Sequence, residues 1–310
     1  MSTFFEALER AEQERAVRFQ AAPGASTSAP DPPVPESAPD PGLRSLPELP
    51  RGAANGLEEH LVSLLAPTSF EAEQYRALRH LIEQLHKSTG LAVVAVSSPT
   101  VADGKTTTSI NLAGALAQAP DARVLLIDAD LRGAALGPRL GLEEGGGPGF
   151  VEAILDANLP LAAVVQARPQ LNLSVLPAGR FPSAPYEVLM SPRVGELLAE
   201  ARRQYDYVIL DTPPLVSVPD CRVIEKWVDG LLIVVTAHRT ARKLVEEALN
   251  VTDRAKVVGL VFNGDDRHLS RDSYGSYGSR RSSSRNGGGR RRRVFWSLDR
   301  IRRRRTASDD

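Results

Sequence analysis

From Leu91 onward the chain alternates short apolar, β-branched runs with stretches of helical periodicity, and this alternation limits the fold more than any other feature. The runs are 91–97 (LAVVAVS), 123–128 (RVLLID), 172–177 (NLSVLP), 206–211 (DYVILD), 230–236 (GLLIVVT) and 257–262 (VVGLVF). Helical patterns fall at 105–119, 149–157, 186–204, 217–227 and 239–252. Runs apolar on both faces read as strands covered on both sides, which is the habit of parallel sheets. The expected fold class is therefore α/β, a mostly parallel sheet with helices on both faces. An apolar content of 42% supplies enough material for such a core.

The flanks read differently. Residues 3–20 suit an amphipathic helix, with Phe4, Phe5, Leu8, Ala11, Ala16 and Phe19 sharing a stripe. The 21–50 stretch holds 9 of the 23 prolines among Ala, Ser and Asp, too little apolar surface to offset its ordering entropy. The expected organisation is an N-terminal helix (1–20), a disordered linker (21–56), a central domain (57–268) whose 57–88 stretch is helical, and a disordered tail (269–310). Residues 267–310 carry 14 Arg, no Lys and 4 Asp. Subtraction from 38 basic and 38 acidic residues leaves 24 and 34 for residues 1–266. A tail near +10 beside a body near −10 points to a partner or surface for the tail. One cysteine, Cys221, excludes a disulfide framework and suits a reducing cytoplasm. No signal-peptide pattern and no apolar run of spanning length is evident, so a role at a membrane would require recruitment.

The most specific stretch is SSPTVADGKTTTSINLAGALA, residues 97–117. It joins a buried-type strand to a helix beginning at Gly104–Lys105. Amides at a helix N-terminus point outward without internal partners, and the helix dipole favours an anion there. Gly104 permits close approach of a phosphate, Lys105 adds a cation for the β- and γ-phosphates, and Thr106 offers a hydroxyl to Mg²⁺. Ala102, Asp103 and Thr107 complete the expected nucleotide cradle. The pattern is incomplete, because Pro99 stands where the first glycine of a P-loop belongs. The bland alternative is a strand–helix turn with a solvated lysine.

Two strands end in acids. VLLIDADLR, 124–132, puts Asp128 and Asp130 at the C-terminal end of a buried run, the side where ligands bind in open α/β sheets. YVILDTPP, 207–214, ends in Asp211, as a Mg²⁺-holding Walker B acid would. Lys105, Asp128, Asp130 and Asp211 are the expected catalytic set, with Thr106 and the three acids as metal ligands. ATP and Mg²⁺ are the expected cofactors.

In their order, SSPTVADGKTTTSINLA, VLLIDADLR and YVILDTPP resemble the bacterial tyrosine autokinases of capsular and exopolysaccharide biosynthesis, over roughly residues 65–266. The resemblance implies a P-loop kinase domain in which Lys105 and Thr106 take the Walker A role. It makes Arg132 the last member of a second motif in which Asp128 deprotonates a tyrosine or organises Mg²⁺, with Asp130 close to the metal. Asn263, in GLVFNGDD, falls near the nucleotide base. Glu73, Arg76 and Arg79, spaced E-x-x-R-x-x-R on one helical face, match a helix that joins subunits into a ring. The family's acceptors are C-terminal tyrosines, which implies Tyr274 and Tyr277 of SYGSYGS, phosphorylated in trans.

The resemblance further implies a separate membrane-anchored activator of polysaccharide export and a cytoplasmic protein recruited to the inner face of the cell membrane. The Arg-rich tail, with Phe295 and Trp296 between its arginine blocks, suits an anionic membrane surface better than nucleic acid. Two other functions share the fold. A cell-division or plasmid-partition ATPase would carry a second lysine five residues before Lys105, where this chain has Thr100. A non-catalytic, ATP-gated scaffold of polysaccharide export would bind nucleotide without transferring phosphate.

Overall fold

The computed structural model describes residues 56–142 and 147–264, together with the backbone of 294–297. The strands are β1 (Val93–Ser97), β2 (Val124–Asp128), β3 (Gln166–Arg168), β4 (Leu173–Leu176), β5 (Tyr207–Asp211), β6 (Gly230–Thr236), β7 (Val257–Asn263) and β8 (Val294–Ser297). They form one sheet in the order β3-β4-β2-β5-β1-β6-β7-β8. The six interior strands are mutually parallel, and the edge strands β3 and β8 are antiparallel to their neighbours.

Period-two alternation sorts each interior strand between two cores. Val93, Ala95, Leu125, Ile127, Val208, Leu210, Leu231 and Ile233 face one side, against the helices Phe150–Leu155, Pro192–Gln204 and Asp220–Ile224. Val94, Val96, Leu126, Ile209, Leu232 and Val234 face the other, against Phe70–Thr89 and Lys105–Leu116. Such strands carry apolar residues on both faces because they serve both cores. The six strands expected from the sequence are all present, within one or two residues of the expected limits.

The differences have local causes. The 57–88 helical stretch is two helices, Val62–Leu65 and Phe70–Thr89, broken at Pro67; Ser69 caps the second, its side chain accepting from the Ala72 amide. Likewise 186–204 divides into Pro185–Met190 and Pro192–Gln204, because Pro192 lacks the N–H that would continue the first helix and sits at the first position of the second. The tail expected to be disordered from residue 269 contributes β8, whose backbone pairs with β7 from Leu260↔Ser297 to Asn263↔Val294. Val, Phe and Trp favour strands, and β7 would otherwise end the sheet with unpaired amides and carbonyls. The N-terminal helix expected at 3–20, the proline-rich linker and the tyrosines at 274 and 277 lie outside the described residues. Among the described residues no helix is long and apolar enough to cross a membrane.

The segment before Phe70 is fastened to the helix that begins at Lys105 by Asn111, which is fully buried. Its Oδ1 accepts from the Ser63 amide at 2.8 Å, and its Nδ2 donates to the carbonyls of His60 (3.0 Å) and Thr107 (2.9 Å). Asn111→Ala leaves the buried Ser63 amide without that acceptor, which costs about 1–3 kcal/mol. Urea denaturation should show a loss of that size with an unchanged m-value.

Candidate functional site

The ends of β1, β2 and β5 lie side by side, and the parallel register sets what they carry. Asp128 of β2 is directly opposite Asp211 of β5, and Ala129 N–H donates to the Asp211 carbonyl at 2.8 Å. β1 lies on the other flank of β5 and feeds the 98–104 loop and the Lys105–Leu116 helix. The side chains at the start of that helix therefore meet the acids of β2 and β5.

Lys105 Nζ lies 2.7 Å from Asp130 Oδ2 and 3.7 Å from Asp211 Oδ2. Thr106 Oγ1 donates to Asp211 Oδ2 at 2.7 Å, and Ser109 Oγ to Asp211 Oδ1 at 3.1 Å. Asp128 Oδ2 accepts the amides of Ala135 and Leu136, each at 3.1 Å, and its Oδ1 accepts the Asp130 amide at 3.2 Å. Asp130 Oδ1 takes the amides of Arg132 (3.3 Å) and Gly133 (3.0 Å). Arg132 itself turns to Asp220, making a two-pronged contact at 2.8 and 3.0 Å with a carboxylate that is fully buried.

These contacts bring Lys105, Thr106, Asp128, Asp130 and Asp211 into one neighbourhood. Gly104 is required on two counts. Its φ is +93°, and a Cβ there would stand 1.9 Å from Asn263 Nδ2. Asn263 reaches the loop through that nitrogen, donating to the Asp103 carbonyl at 3.0 Å. Thr107 points elsewhere, its hydroxyl accepting from Arg139 at 3.0 Å. Three contributors escaped the sequence reading: Ser109, Asp220, and the Thr236–Thr240 pair on Asp103. Ser109 had a signal, since it lies one turn beyond Thr106 on the same helical face. The others had none, because nothing local marks a threonine or an aspartate that acts across more than 80 residues.

Glu73, Arg76 and Arg79 share a face of the Phe70–Thr89 helix, and the two arginines are committed within the chain. Arg79 donates to the Ala115 carbonyl at 3.0 Å and to Glu83 at 2.6 Å. Arg76 donates to the Pro67 carbonyl at 2.5 Å and pairs with Glu73. Glu73 keeps half of its side chain exposed.

The electrostatics follow from one cation among three acids. Burial works against the Lys105 charge, but Asp211 and Asp130 outweigh it and hold its pKa above the usual lysine value. Burial also pushes Asp211 up, against the opposing pull of Lys105 and the Thr106 hydroxyl. Asp128 is pushed up to about 7 by burial and then by the Asp211 charge, with the Leu136 amide opposing. The oxygen donors of Thr106, Asp128 and Asp211 suit Mg²⁺ in type. Among the described residues no three His, Cys, Asp or Glu side chains converge where they could share an ion. The three acids expected together as metal ligands, Asp128, Asp130 and Asp211, therefore do not form one shared ligand set here: Asp130 is turned to Lys105, and Asp128 to the amides of Ala135 and Leu136.

A parallel α/β sheet with a lysine-bearing loop and acids at the neighbouring strand ends defines a P-loop protein. The family model described as AAA domain matches residues 92–258. A tyrosine-protein kinase of Bacillus subtilis, YwqD, is 34% identical over 227 residues, which is 72% of this chain and 93% of that one. The tyrosine-protein kinase wzc of Salmonella typhi is 31% identical over 233 residues, 74% of this chain but only 31% of that larger protein. The solved kinase domain of the Escherichia coli tyrosine kinase ETK is 29% identical, with a TM-score of 0.58, covering 64% of this chain and 78% of that one. The chain belongs to the bacterial tyrosine autokinase family of exopolysaccharide biosynthesis.

The raised acids have a measurable consequence. An acid whose folded pKa lies above its unfolded value binds more protons when folded, so stability falls as pH rises between the two values. For Asp128 that window runs from its ordinary 3.8 to about 7. Urea denaturation at a series of pH values should show the fall across this window becoming shallower in Asp128→Asn.

Proposed function

We propose that this chain is an ATP-dependent protein-tyrosine autokinase that regulates capsular or exopolysaccharide biosynthesis or export, and that it phosphorylates Tyr274 and Tyr277 in trans. The observation that carries this reading is the convergence of Lys105, Thr106, Asp130 and Asp211 within 3.7 Å contacts at the end of one parallel sheet. Phosphoryl transfer asks a protein mainly for positioning and for charge on the transferred group. The amides at the start of the Lys105–Leu116 helix would hold a triphosphate, and Lys105, paired here with Asp130, would supply a cation beside it. Thr106 and Asp211 would hold Mg²⁺, which would neutralise phosphate charge. Asp128 accepts the tyrosine proton, a role that its upward shift to about 7 suits, since a base works best with a pKa near the working pH.

Self-association through the Glu73 face, with a membrane-anchored activator, belongs to the same reading. So does recruitment to the inner face of the cell membrane, with the arginine-rich tail on an anionic surface. The match covers only 31% of the length of wzc.

Purified full-length protein incubated with Mg-ATP should acquire phosphotyrosine. Lys105→Met should reduce the rate at least about a hundredfold, as loss of a transition-state cation does. Tyr274→Phe with Tyr277→Phe should remove the acceptor while leaving ATP affinity intact. Inorganic phosphate accumulating with an unlabelled protein would instead favour a partition-type ATPase. ATP binding with neither product would favour a scaffold. Charge reversal at Glu73, the most exposed of its group, should shift the sedimentation profile towards monomer.

A further inference from the structure

Asp103 stands inside the phosphate loop, where a negative charge works against the ligand proposed for it. Its side chain is turned into the protein instead, and the residue is 3% exposed. Oδ1 accepts from Thr236 Oγ1 at 3.0 Å and from Thr240 Oγ1 at 2.6 Å. Oδ2 accepts from the Thr100 amide at 3.1 Å and from the Thr100 hydroxyl at 3.0 Å. A carboxylate offers about four acceptor sites, so these donors fill it and leave none for a metal or a substrate proton. Its carbonyl is engaged as well, by Asn263 Nδ2 at 3.0 Å. Neither the carboxylate nor the carbonyl of Asp103 is thus left to take part in chemistry, yet the residue joins the loop to the ends of β6 and β7.

The backbone around it needs such a hold. Ala102 has φ +63° and Gly104 φ +93°, so left-handed residues stand on both sides of Asp103. An alanine adopts that conformation only where its surroundings enforce it. Thr100 lies five residues before Lys105, the place where partition-type ATPases carry their second lysine. Here its amide and hydroxyl close the loop onto Asp103.

We propose that Asp103, acting through Thr236 and Thr240, is a positioning residue for nucleotide binding. It fixes the 99–104 loop in the shape that aims its amides at a triphosphate. A loop held in this way loses less freedom when ligand arrives, so the tie supports affinity for ATP and has little part in the transfer step. This inference rests on reading the site as a Mg-ATP site.

The test uses the full-length chain, with Mg-ATP affinity from calorimetry, the autophosphorylation rate at saturating ATP, and a thermal melt for each variant. Asp103→Ala should weaken Mg-ATP binding roughly tenfold or more, the scale of losing hydrogen bonds to a charged group. The rate at saturating ATP should stay within about twofold, the signature of lost uniform binding. Asp103→Asn can keep its oxygen towards Thr100 and turn its amide towards the two hydroxyls, so it should recover affinity to within about threefold of the original chain. The isosteric pair Thr236→Val and Thr240→Val should weaken binding on its own and add nothing on top of Asp103→Ala. Should Asp103→Ala fail to melt cooperatively, the valine pair carries the test alone. Unchanged affinity in folded Asp103→Ala, a loss from the valine pair that multiplies with it, or no recovery in Asp103→Asn would each overturn the proposal. An unsubstituted chain that binds no Mg-ATP would overturn the site reading instead.

Discussion

A nearly buried ammonium held between two carboxylates organises this molecule. Lys105 keeps only 11% of its side chain exposed, and Asp211 none. A charge taken out of water is tolerable only beside an opposite charge with its hydrogen bonds met. That condition fixes where the Lys105 helix must start relative to β2 and β5. It also leaves the cluster unbalanced, with one cation set against Asp128, Asp130 and Asp211. The surplus is visible in the upward push on Asp128 and Asp211. A site strained in this direction favours added positive charge, which is the role proposed here for a divalent ion arriving with its nucleotide.

The sheet supplies the precision. Three parallel pairings put the chain ends of β1, β2, β5 and β6 along one edge, where polar residues collect. Smaller bonds then brace the edge. Ser97 Oγ donates to the Pro213 carbonyl at 2.7 Å, and Thr212 Oγ1 to the Val96 carbonyl at 2.9 Å. Both tie the loop after Asp211 to β1, and both are buried. Asp211 is therefore held from its strand, from its own following loop, and from Thr106 and Ser109 on the helix.

Legibility in the sequence divided along physical lines. The interior strands were readable because their apolar residues serve a core on each face, as in VLLI of β2 and YVIL of β5, while β7, half-buried over most of its length, still carries the apolar run VVGLVF. β3 was not, since QAR at an exposed edge has no such pattern, and β8 was hidden by the arginines around VFWS. Helix breaks at Pro67 and Pro192 were visible as prolines but not as boundaries, because the apolar stripe continues on either side. In the site, Lys105, Thr106, Asp128, Asp130 and Asp211 were readable from their place at strand and helix ends. Asp220, Thr236 and Thr240 were not, for they are ordinary polar residues until folding brings Arg132 and Asp103 to them. The spacing of Glu73, Arg76 and Arg79 was plain, but spacing alone does not say whether an arginine meets its own chain or another. Here Arg79 meets Ala115 and Arg76 meets Pro67.

The departure of the loop from the usual P-loop pattern is resolved by the same neighbours. Glycines in such a loop permit unusual backbone angles and let the chain approach a ligand closely. This chain has Pro99 and Ala102 at positions where glycine is common, and it obtains the shape by fastening the loop from outside. Ser98 and Pro99 give their carbonyls to the amides of Leu215 (2.8 Å) and Val216 (3.3 Å), and Asp103 is anchored to β6 and to Asn263 on β7. Pro99 also restricts its own φ and that of its surroundings, reducing the freedom the loop must give up. Gly104 alone cannot be replaced in this way, because its φ of +93° is a backbone conformation that side-chain-bearing residues rarely adopt. An incomplete motif is thus compatible with a complete site where tertiary bonds hold what glycines would otherwise allow.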